Sequence, residues 1–347
     1  RFVFAYGISA GSNYALSGGT SASSNLRIIT EILAGTYSPA NEGALNYPYG
    51  SLSIYPPLYD YLMAAVAYVV TLFGVSAGTV AAGTLAWSAP IFAALTVIPV
   101  YLAAKKMFND DATIGLVSAL LYAFFGLLIM TTVFSNGTVY AFVGLLFAVV
   151  FYELACAFAN ADKAGLKGFK APFTEKSVLR PIIIAAVLLA AIFLSWNSFF
   201  VIVAFTCVGL IIAQVVTRVL EKDLATMTVI IDVPLVFGLL VSALYYIPMG
   251  LWDAVFSGPF CLGLIVVAFT LVFAFLQTKP WVLTVPIFAV VGIIFAALLY
   301  VFVPDLFTDM VHGNSLYTGS LMIALTSEMS RNSISEMAAY YGWLTLW

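Results

Sequence analysis

Long apolar runs separated by short polar segments make up most of the chain. The runs fall at about 82–104, 112–131, 138–160, 181–197, 199–216, 224–248, 257–277 and 281–303. Most approach the ~20 apolar residues with which an α-helix crosses the hydrocarbon core of a bilayer. The pattern predicts an all-α polytopic membrane protein, in which residues 82–303 form a transmembrane bundle of about eight helices.

An earlier apolar run, at 58–75, follows directly after Pro56 and Pro57. Each proline removes a backbone donor and fixes φ, so a helix does not pass through the pair, whereas proline suits the start of a helix. We predict a helix that begins immediately after Pro57. It lies at the membrane interface as part of a first external loop, residues 17–81, or it forms a ninth span.

The ends of the sequence complete the predicted organisation. Residues 1–16 are too short for a full span and are expected to belong to a truncated first transmembrane helix. Residues 304–341 are expected to form a late external loop, and residues 342–347 to start a further transmembrane helix that is also truncated. We therefore expect the sequence to be a fragment of a longer protein.

Basic residues give the predicted orientation of the bundle. Three of the thirteen, Arg1, Arg27 and Arg331, fall on one side of the predicted topology. The other ten fall on the opposite side: Lys105, Lys106, Lys163, Lys167, Lys170, Lys176, Arg180, Arg218, Lys222 and Lys279. Cytoplasmic loops carry an excess of lysine and arginine. We therefore predict that the loop at 17–57 and the tip at 132–137 face outward.

The composition agrees with a membrane protein. The chain is 63% hydrophobic and only 8% charged, whereas soluble domains carry about 25% charged residues. A net charge of −3 provides no basic surplus, so nucleic acid is not expected as a partner. Cys156, Cys207 and Cys261 all lie within apolar runs without metal-binding or redox spacing.

Two segments carry a resemblance to a known family. The first reads NLRIITEILAGTYSPANEGALNYPYGSLSIYPPLYDYLMA and contains Arg27, the YPYG stretch at 47–50 and the PPLY stretch at 56–59. It resembles the first external loop of oligosaccharyltransferase catalytic subunits, in particular the archaeal single-subunit enzymes (dolichyl-phosphooligosaccharide–protein glycotransferases). The second, SISE at 333–336, resembles the Thr-Ile-X-Glu motif of their late external loop.

This resemblance implies a glycosyltransferase-C-like transmembrane bundle with long external loops. It implies transfer of a polyprenyl-linked (dolichol-linked) oligosaccharide to asparagine of protein acceptors, which is protein N-glycosylation. The implied partners are the lipid-linked oligosaccharide, an acceptor polypeptide and membrane lipids. An active member would use a divalent metal, Mn²⁺ or Mg²⁺. The implied location is the plasma membrane of a prokaryote, with the external loops facing outside.

The resemblance also implies roles for individual residues. Glu336 would help to position the acceptor for catalysis. The residues that would bind substrate are Arg27, Tyr49, Tyr55, Ser333 and Ser335.

The chain departs from the family pattern where the metal chemistry requires carboxylates. Family members place an acidic residue in the first loop and an acidic pair in the next external tip. Here Ser21 stands at the first position, and Ser135, Asn136 and Thr138 cover the second. Neutral oxygens alone are poor ligands for a hard cation. Glu42, in the first loop, is a possible substitute metal ligand.

Two alternatives therefore stand beside an active transferase. One is a non-catalytic paralogue on the same fold. The other is a polytopic transporter or flippase, in which Glu153 and Asp232, two acids inside predicted spans, would line the path. Transporters often contain internal repeats, and we find no repeat in this sequence.

The topology prediction has a direct test in the polar loop at 161–180, where five basic residues cluster. In a cysteine-free background, Lys167→Cys is expected to stay unreactive toward an impermeant thiol reagent added to intact cells, because the loop is cytoplasmic. Ser38→Cys, in the predicted outer loop, is the positive control. Ready labelling at position 167 would reverse the orientation.

Overall fold

The computed structural model describes residues 14–43, 49–50, 53, 55–196, 199–255 and 258–312. Within these ranges the chain is helical and contains no β-strand. The helices are α1 (Gly19–Ala34), α2 (Leu58–Thr71), α3 (Ala77–Met107), α4 (Ala112–Phe124), α5 (Gly126–Thr131), α6 (Tyr140–Lys163), α7 (Ala171–Thr174), α8 (Lys176–Phe193), α9 (Phe200–Val219), α10 (Leu224–Tyr246), α11 (Trp252–Val255), α12 (Gly258–Phe275), α13 (Trp281–Phe302) and α14 (Pro304–His312). The predicted all-α membrane fold is confirmed.

Seven described helices are long and apolar enough to cross a membrane: α3, α6, α8, α9, α10, α12 and α13. The remaining predicted span, at 112–131, is instead divided into α4 and α5. Phe125, with ψ at 120°, ends α4, and Gly126, a weak helix former, follows it. Two other helices begin earlier than predicted, α3 at Ala77 and α8 at Lys176.

The helix predicted after the two prolines is confirmed. It is α2, which begins at Leu58 with Pro57 as its N-cap residue and ends at Thr71. Its 14 residues rise by about 21 Å, which is short of the ~30 Å hydrocarbon core. One face is buried, and Val66 and Val69 on another face are exposed. This pattern suits the predicted interfacial position.

The chain divides into two compact units. The described residues of the first lie within Arg1–Tyr152 and Ala191–Asn197, and those of the second lie within Glu153–Ala190 and Ser198–Arg331. The predicted division into truncated helix, first loop, bundle and late loop stays a prediction.

In the first unit, α1 and α2 pack against α3 and the start of α6. The core contains Ile29, Tyr59, Met63, Ala64, Ala81, Leu85 and Phe142. Ala64 and Ala81 are small enough to let neighbouring backbones approach closely, as is common where helices pack in membranes. The Tyr59 ring lies on Phe142, with 5.6 Å between the ring centroids. Helix α2 is therefore held by its buried side chains.

In the second unit, buried polar side chains link α9, α10 and α12. The Gln214 amide donates to the Thr228 hydroxyl at 2.7 Å, and the Thr270 hydroxyl donates to Asp232 Oδ2 at 3.0 Å. Hydrogen bonds between membrane helices contribute roughly 0.6–2 kcal/mol each. One oxygen of Asp232 thus takes part in helix packing, and a transport role for this residue stays a hypothesis.

Candidate functional site

The tip between α5 and α6 is a tight reversal of the chain. Ser135 and Gly137 both have left-handed backbone conformations, with φ of 72° and 67°. The backbone amide of Ser135 donates to the carbonyl oxygen of Ala86 at 3.0 Å, which fastens the tip to α3. Ser135, Gly137 and Thr138 are buried, and Asn136 is half-buried.

The residues that lead into α1 contact this tip directly. The Ser17 amide donates to the Ser135 carbonyl at 2.8 Å, and the two serine hydroxyls lie 3.2 Å apart. Nearly two turns into α1, the Asn25 side-chain amide donates to the carbonyl of Gly137 at 3.3 Å. These bonds join segments more than a hundred residues apart in sequence.

Gly18 makes this contact possible. A Cβ atom at this position would lie 2.0 Å from the carbonyl oxygen of Asn136 and 2.7 Å from Thr138 Cγ2. Gly18 is the N-cap residue of α1, with φ at −79° and no side-chain cap. Its role is therefore steric, because this backbone conformation is open to other residues.

Tyr59 of α2 contacts the tip through its hydroxyl. Its hydroxyl lies 3.1 Å from Ser88 Oγ and 3.5 Å from the carbonyl oxygen of Thr138. The Ser88 hydroxyl in turn donates to the Leu85 carbonyl of α3 at 2.8 Å. Burial raises the pKa of the Tyr59 phenol. Tyr59 thus contacts the tip as a buried, neutral phenol.

An apolar cavity of about 490 Å³ lies beside the tip, between α2 and α3. Met63 and Val66 of α2 line it together with Ile91 of α3. Trp87, a further lining residue, meets Phe134 edge-on with 5.4 Å between the ring centroids. An apolar cavity and a polar tip are therefore neighbours in the first unit.

The four positions that the family resemblance marks as substituted acids lie at or near this contact. Ser135, Asn136 and Thr138 form the tip, and Ser21 lies in the first turn of α1. The Asn136 side-chain oxygen accepts from the Thr138 amide at 3.3 Å and also from the Thr138 hydroxyl. The hydroxyl and amide groups of the tip are thus largely bonded to one another.

These residues do not fit a divalent metal. Neither residues 132–139 nor residues 17–26 contain a carboxylate, and hard cations depend on carboxylate oxygens. No group of three or more His, Cys, Asp and Glu side chains suited to a metal ion occurs within the described ranges. The Asn136 side-chain oxygen already accepts from Thr138, and the Ser135 hydroxyl donates to Ser17.

Arg27, predicted to bind substrate, is held between two carboxylates. Its Nη1 lies 2.9 Å from Glu31 Oε1, one turn further along α1, and its Nη2 pairs with Glu42 Oε1. Glu42 is buried, and its second oxygen has no hydrogen-bond partner within the described residues. Glu42 therefore serves an ion pair in this structure, and its role as a metal ligand stays a prediction.

Asp60 is a buried acid that the sequence reasoning did not single out. Only 5% of the residue is exposed, and its Oδ1 has no partner among the described atoms. Burial raises the pKa of this carboxyl from 3.8 to about 8, against the opposing effect of Arg27. Burial, followed by the charge of Asp60, also raises the pKa of Tyr37 to about 12. An acid in the first turn of α2 was the available sequence signal, but it also suits a simple helix-dipole role.

Of the remaining predicted site residues, two are exposed to solvent and three lie outside the described ranges. Tyr49 is 83% exposed and Tyr55 is 46% exposed. Ser333, Ser335 and Glu336 lie outside the described residues. The substrate-binding and acceptor-positioning roles of these residues stay predictions.

Comparisons with known proteins agree with this architecture. No protein-family model matches the chain. The dolichyl-phosphooligosaccharide-protein glycotransferase 1 of Archaeoglobus fulgidus is 28% identical over 130 residues, which are 38% of this chain and 21% of that protein.

Two solved structures of the archaeal oligosaccharyltransferase AglB from the same organism share the fold. The complex with an inhibitory peptide and a dolichol-phosphate has a TM-score of 0.68 at 16% identity, and the match covers 96% of this chain and 40% of that one. The form tethered to an acceptor peptide with an NVT sequon has a TM-score of 0.67 at 16% identity, covering 95% and 39%.

The chain therefore has a polytopic, all-α fold of the glycosyltransferase-C type. More particularly, it has the fold of the membrane region of archaeal oligosaccharyltransferase AglB, and the predicted resemblance is confirmed. The chain spans about 40% of the length of the AglB structures and about a fifth of the curated relative.

The close approach at Gly18 generates a stability prediction. Gly18→Ala is expected to lower the free energy of unfolding by about 1–3 kcal/mol, because the methyl group overlaps the Asn136 carbonyl and displaces the tip. Thermal unfolding in detergent measures the loss, and hydrogen exchange of the Ser17 amide reports the displacement. Gly43→Ala, where the added Cβ meets no atom within 4 Å, is the control. Equal stability of the two variants would contradict the contact.

The buried carboxyl of Asp60 generates a pH prediction. The folded state holds this proton up to about pH 8, whereas an ordinary carboxyl loses it near 3.8. Folding stability from this group therefore falls as pH rises between those values and is level above them. Asp60→Asn should remove that loss, so that the melting temperature of the variant relative to wild type increases from pH 5 to pH 8.

Melting curves from pH 5 to pH 9 test this. Asp305→Asn, which changes an exposed carboxyl, serves as the control and should show no such trend. An Asp60→Asn effect of constant size across the range would show that the carboxyl is ionised throughout.

Proposed function

We propose that this chain is the membrane region of an oligosaccharyltransferase-like protein that binds a polyprenyl-linked oligosaccharide and an Asn-X-Ser/Thr acceptor segment and acts in protein N-glycosylation. The observation that carries the proposal is the fold match over 96% of the chain with AglB in complex with a dolichol-phosphate and a peptide. The 28% identity to the archaeal glycotransferase over 130 residues supports it independently.

The local geometry supports an amphiphilic ligand. A lipid-linked sugar combines an apolar chain with an anionic, hydrogen-bonding head, so its site must lie where membrane meets water. In the first unit, the apolar cavity between α2 and α3 adjoins the polar tip through the Trp87–Phe134 contact. The exposed Tyr49 and Tyr55 suit the same boundary, which tyrosine favours.

The site residues are proposed as follows. Arg27, Tyr49, Tyr55, Ser333 and Ser335 would bind the substrates, and Glu336 would hold the acceptor. The external loops would face outside at the plasma membrane of a prokaryote, as the distribution of lysine and arginine predicts. Seven described helices of spanning length support an integral membrane location.

A binding experiment tests the proposal. Full-length protein in lipid nanodiscs is exposed to a photoreactive polyprenyl-pyrophosphate disaccharide, and cross-linked protein is quantified with and without an excess of unlabelled donor. We expect saturable labelling that the unlabelled donor suppresses. Tyr49→Ser should reduce labelling, whereas Tyr68→Ser, another exposed tyrosine of the first loop, should not. Labelling that no donor competes away would refute the proposed function.

A further inference from the structure

The tip and the start of α1 use their own oxygens to hold each other. Ser17 and Ser135 are joined by a backbone hydrogen bond and by a contact between their hydroxyls. The Asn25 side chain donates to the carbonyl oxygen of Gly137. The Asn136 side-chain oxygen accepts from the amide and the hydroxyl of Thr138. The groups at the family's tip positions thus already have partners within the protein.

We propose that this contact is a closed, cation-free form of the metal site that the family resemblance implies, so that the chain binds its lipid-linked ligand without a divalent ion and does not carry out metal-assisted transfer. The ligand in this statement rests on the proposed function. The cation-free contact itself rests only on the residues of the first unit.

Charge is the first argument. A divalent ion that loses its water shell requires negative oxygens in return. The two segments that meet here, residues 17–26 and 132–139, contain neither aspartate nor glutamate. Serine, threonine and asparagine contribute only dipoles, and an uncharged set cannot offset the loss of hydration.

Geometry is the second argument. Two of the hydrogen bonds join backbone groups: Ser17 N to Ser135 O at 2.8 Å, and Ser135 N to Ala86 O at 3.0 Å. The carbonyl of Asn136 also faces Gly18 so closely that a Cβ would lie 2.0 Å away. An ion entering here would have to separate segments that hydrogen bonds and close packing hold together.

Neither remaining acid restores the site. Glu42 is buried in its ion pair with Arg27, and withdrawing it would leave the half-buried guanidinium with only Glu31. Glu336 lies outside the described residues and brings at most one carboxylate. One carboxylate with neutral oxygens falls short of the several that hard-cation sites use.

Restoring the acids provides the test. Mn²⁺ binding to the full-length protein is measured by calorimetry and by the electron paramagnetic resonance signal of free Mn²⁺. Wild type is expected not to bind at micromolar Mn²⁺. The double variant Ser21→Asp/Asn136→Asp should bind Mn²⁺ at least about tenfold more tightly than wild type does, because it supplies two carboxylates.

Both substitutions are compatible with the fold. Aspartate has nearly the same shape as asparagine, so Asn136→Asp keeps the side-chain oxygen that accepts from the Thr138 amide. Ser21→Asp places a carboxylate in the first turn of α1, where it suits the positive end of a helix that has no acid there. The control is Ser76→Asp, which adds one carboxylate at the exposed N-cap residue of α3, with no other acid between residues 61 and 109, and it should leave Mn²⁺ binding unchanged.

Two outcomes of the Mn²⁺ experiment would overturn the inference. Micromolar Mn²⁺ binding by wild type, lost in Glu42→Gln or Glu336→Gln, would show that another acid completes a metal site. Failure of the folded double variant to gain binding would show that missing charge is not what distinguishes this tip.

Donor binding separates this inference from the proposed function. Photolabelling by the polyprenyl-pyrophosphate disaccharide is repeated with EDTA and with added Mn²⁺. Equal labelling in both conditions supports ligand binding without a metal. Labelling that appears only with Mn²⁺ overturns the inference and leaves the proposed function standing. Absence of specific labelling in both conditions removes the proposed function and the ligand part of the inference, while the Mn²⁺ titration still decides whether the contact is cation-free.

Discussion

The first unit depends on how closely the chain before α1 approaches the tip between α5 and α6. Only a residue without a side chain permits it, since a Cβ at Gly18 would overlap the Asn136 carbonyl. Once the two segments touch, Ser17, Asn25 and Tyr59 reach the tip and hydrogen-bond with it or lie within its reach. Tyr59 also joins the apolar core of α2 and α3. The absence of a side chain at Gly18 thus allows the chain before α1, the tip and helix α2 to pack together.

Hydropathy and proline placement predicted the long apolar helices and α2, but not α1 or α14, which lie in the two predicted external loops. Apolar runs of spanning length became helices close to their predicted ranges, and Pro57 marks the start of α2 because its ring suits a helix start. The break at Phe125 was not predicted, because the run at 112–131 is almost entirely apolar. A hydrophobic pattern does not reveal that one residue in such a run has an extended backbone. Lys176 begins α8 within a polar segment, where hydropathy contains no signal.

The candidate site was predictable only in part, for a different reason. Motif order placed Ser21 and residues 135–138 at related positions, but the bonds between the segments span more than a hundred residues and appear only in the fold. The pairing of Arg27 with Glu42 crosses an irregular loop with no fixed periodicity. Asp60 was missed because an acid in the first turn of a helix is ordinarily explained by the helix dipole, and its burial depends on packing around α2.

The tip shows how two segments can stay closed on each other without a cation. Carboxylates brought together repel one another, so an acidic tip requires a cation or protons to stay closed. Hydroxyls and amides carry no net charge and both donate and accept, so Ser17 pairs with Ser135, and Asn136 with Thr138, without an ion. A tip of neutral side chains therefore needs no metal in order to fold, and the stability of the tip is a property separate from metal binding.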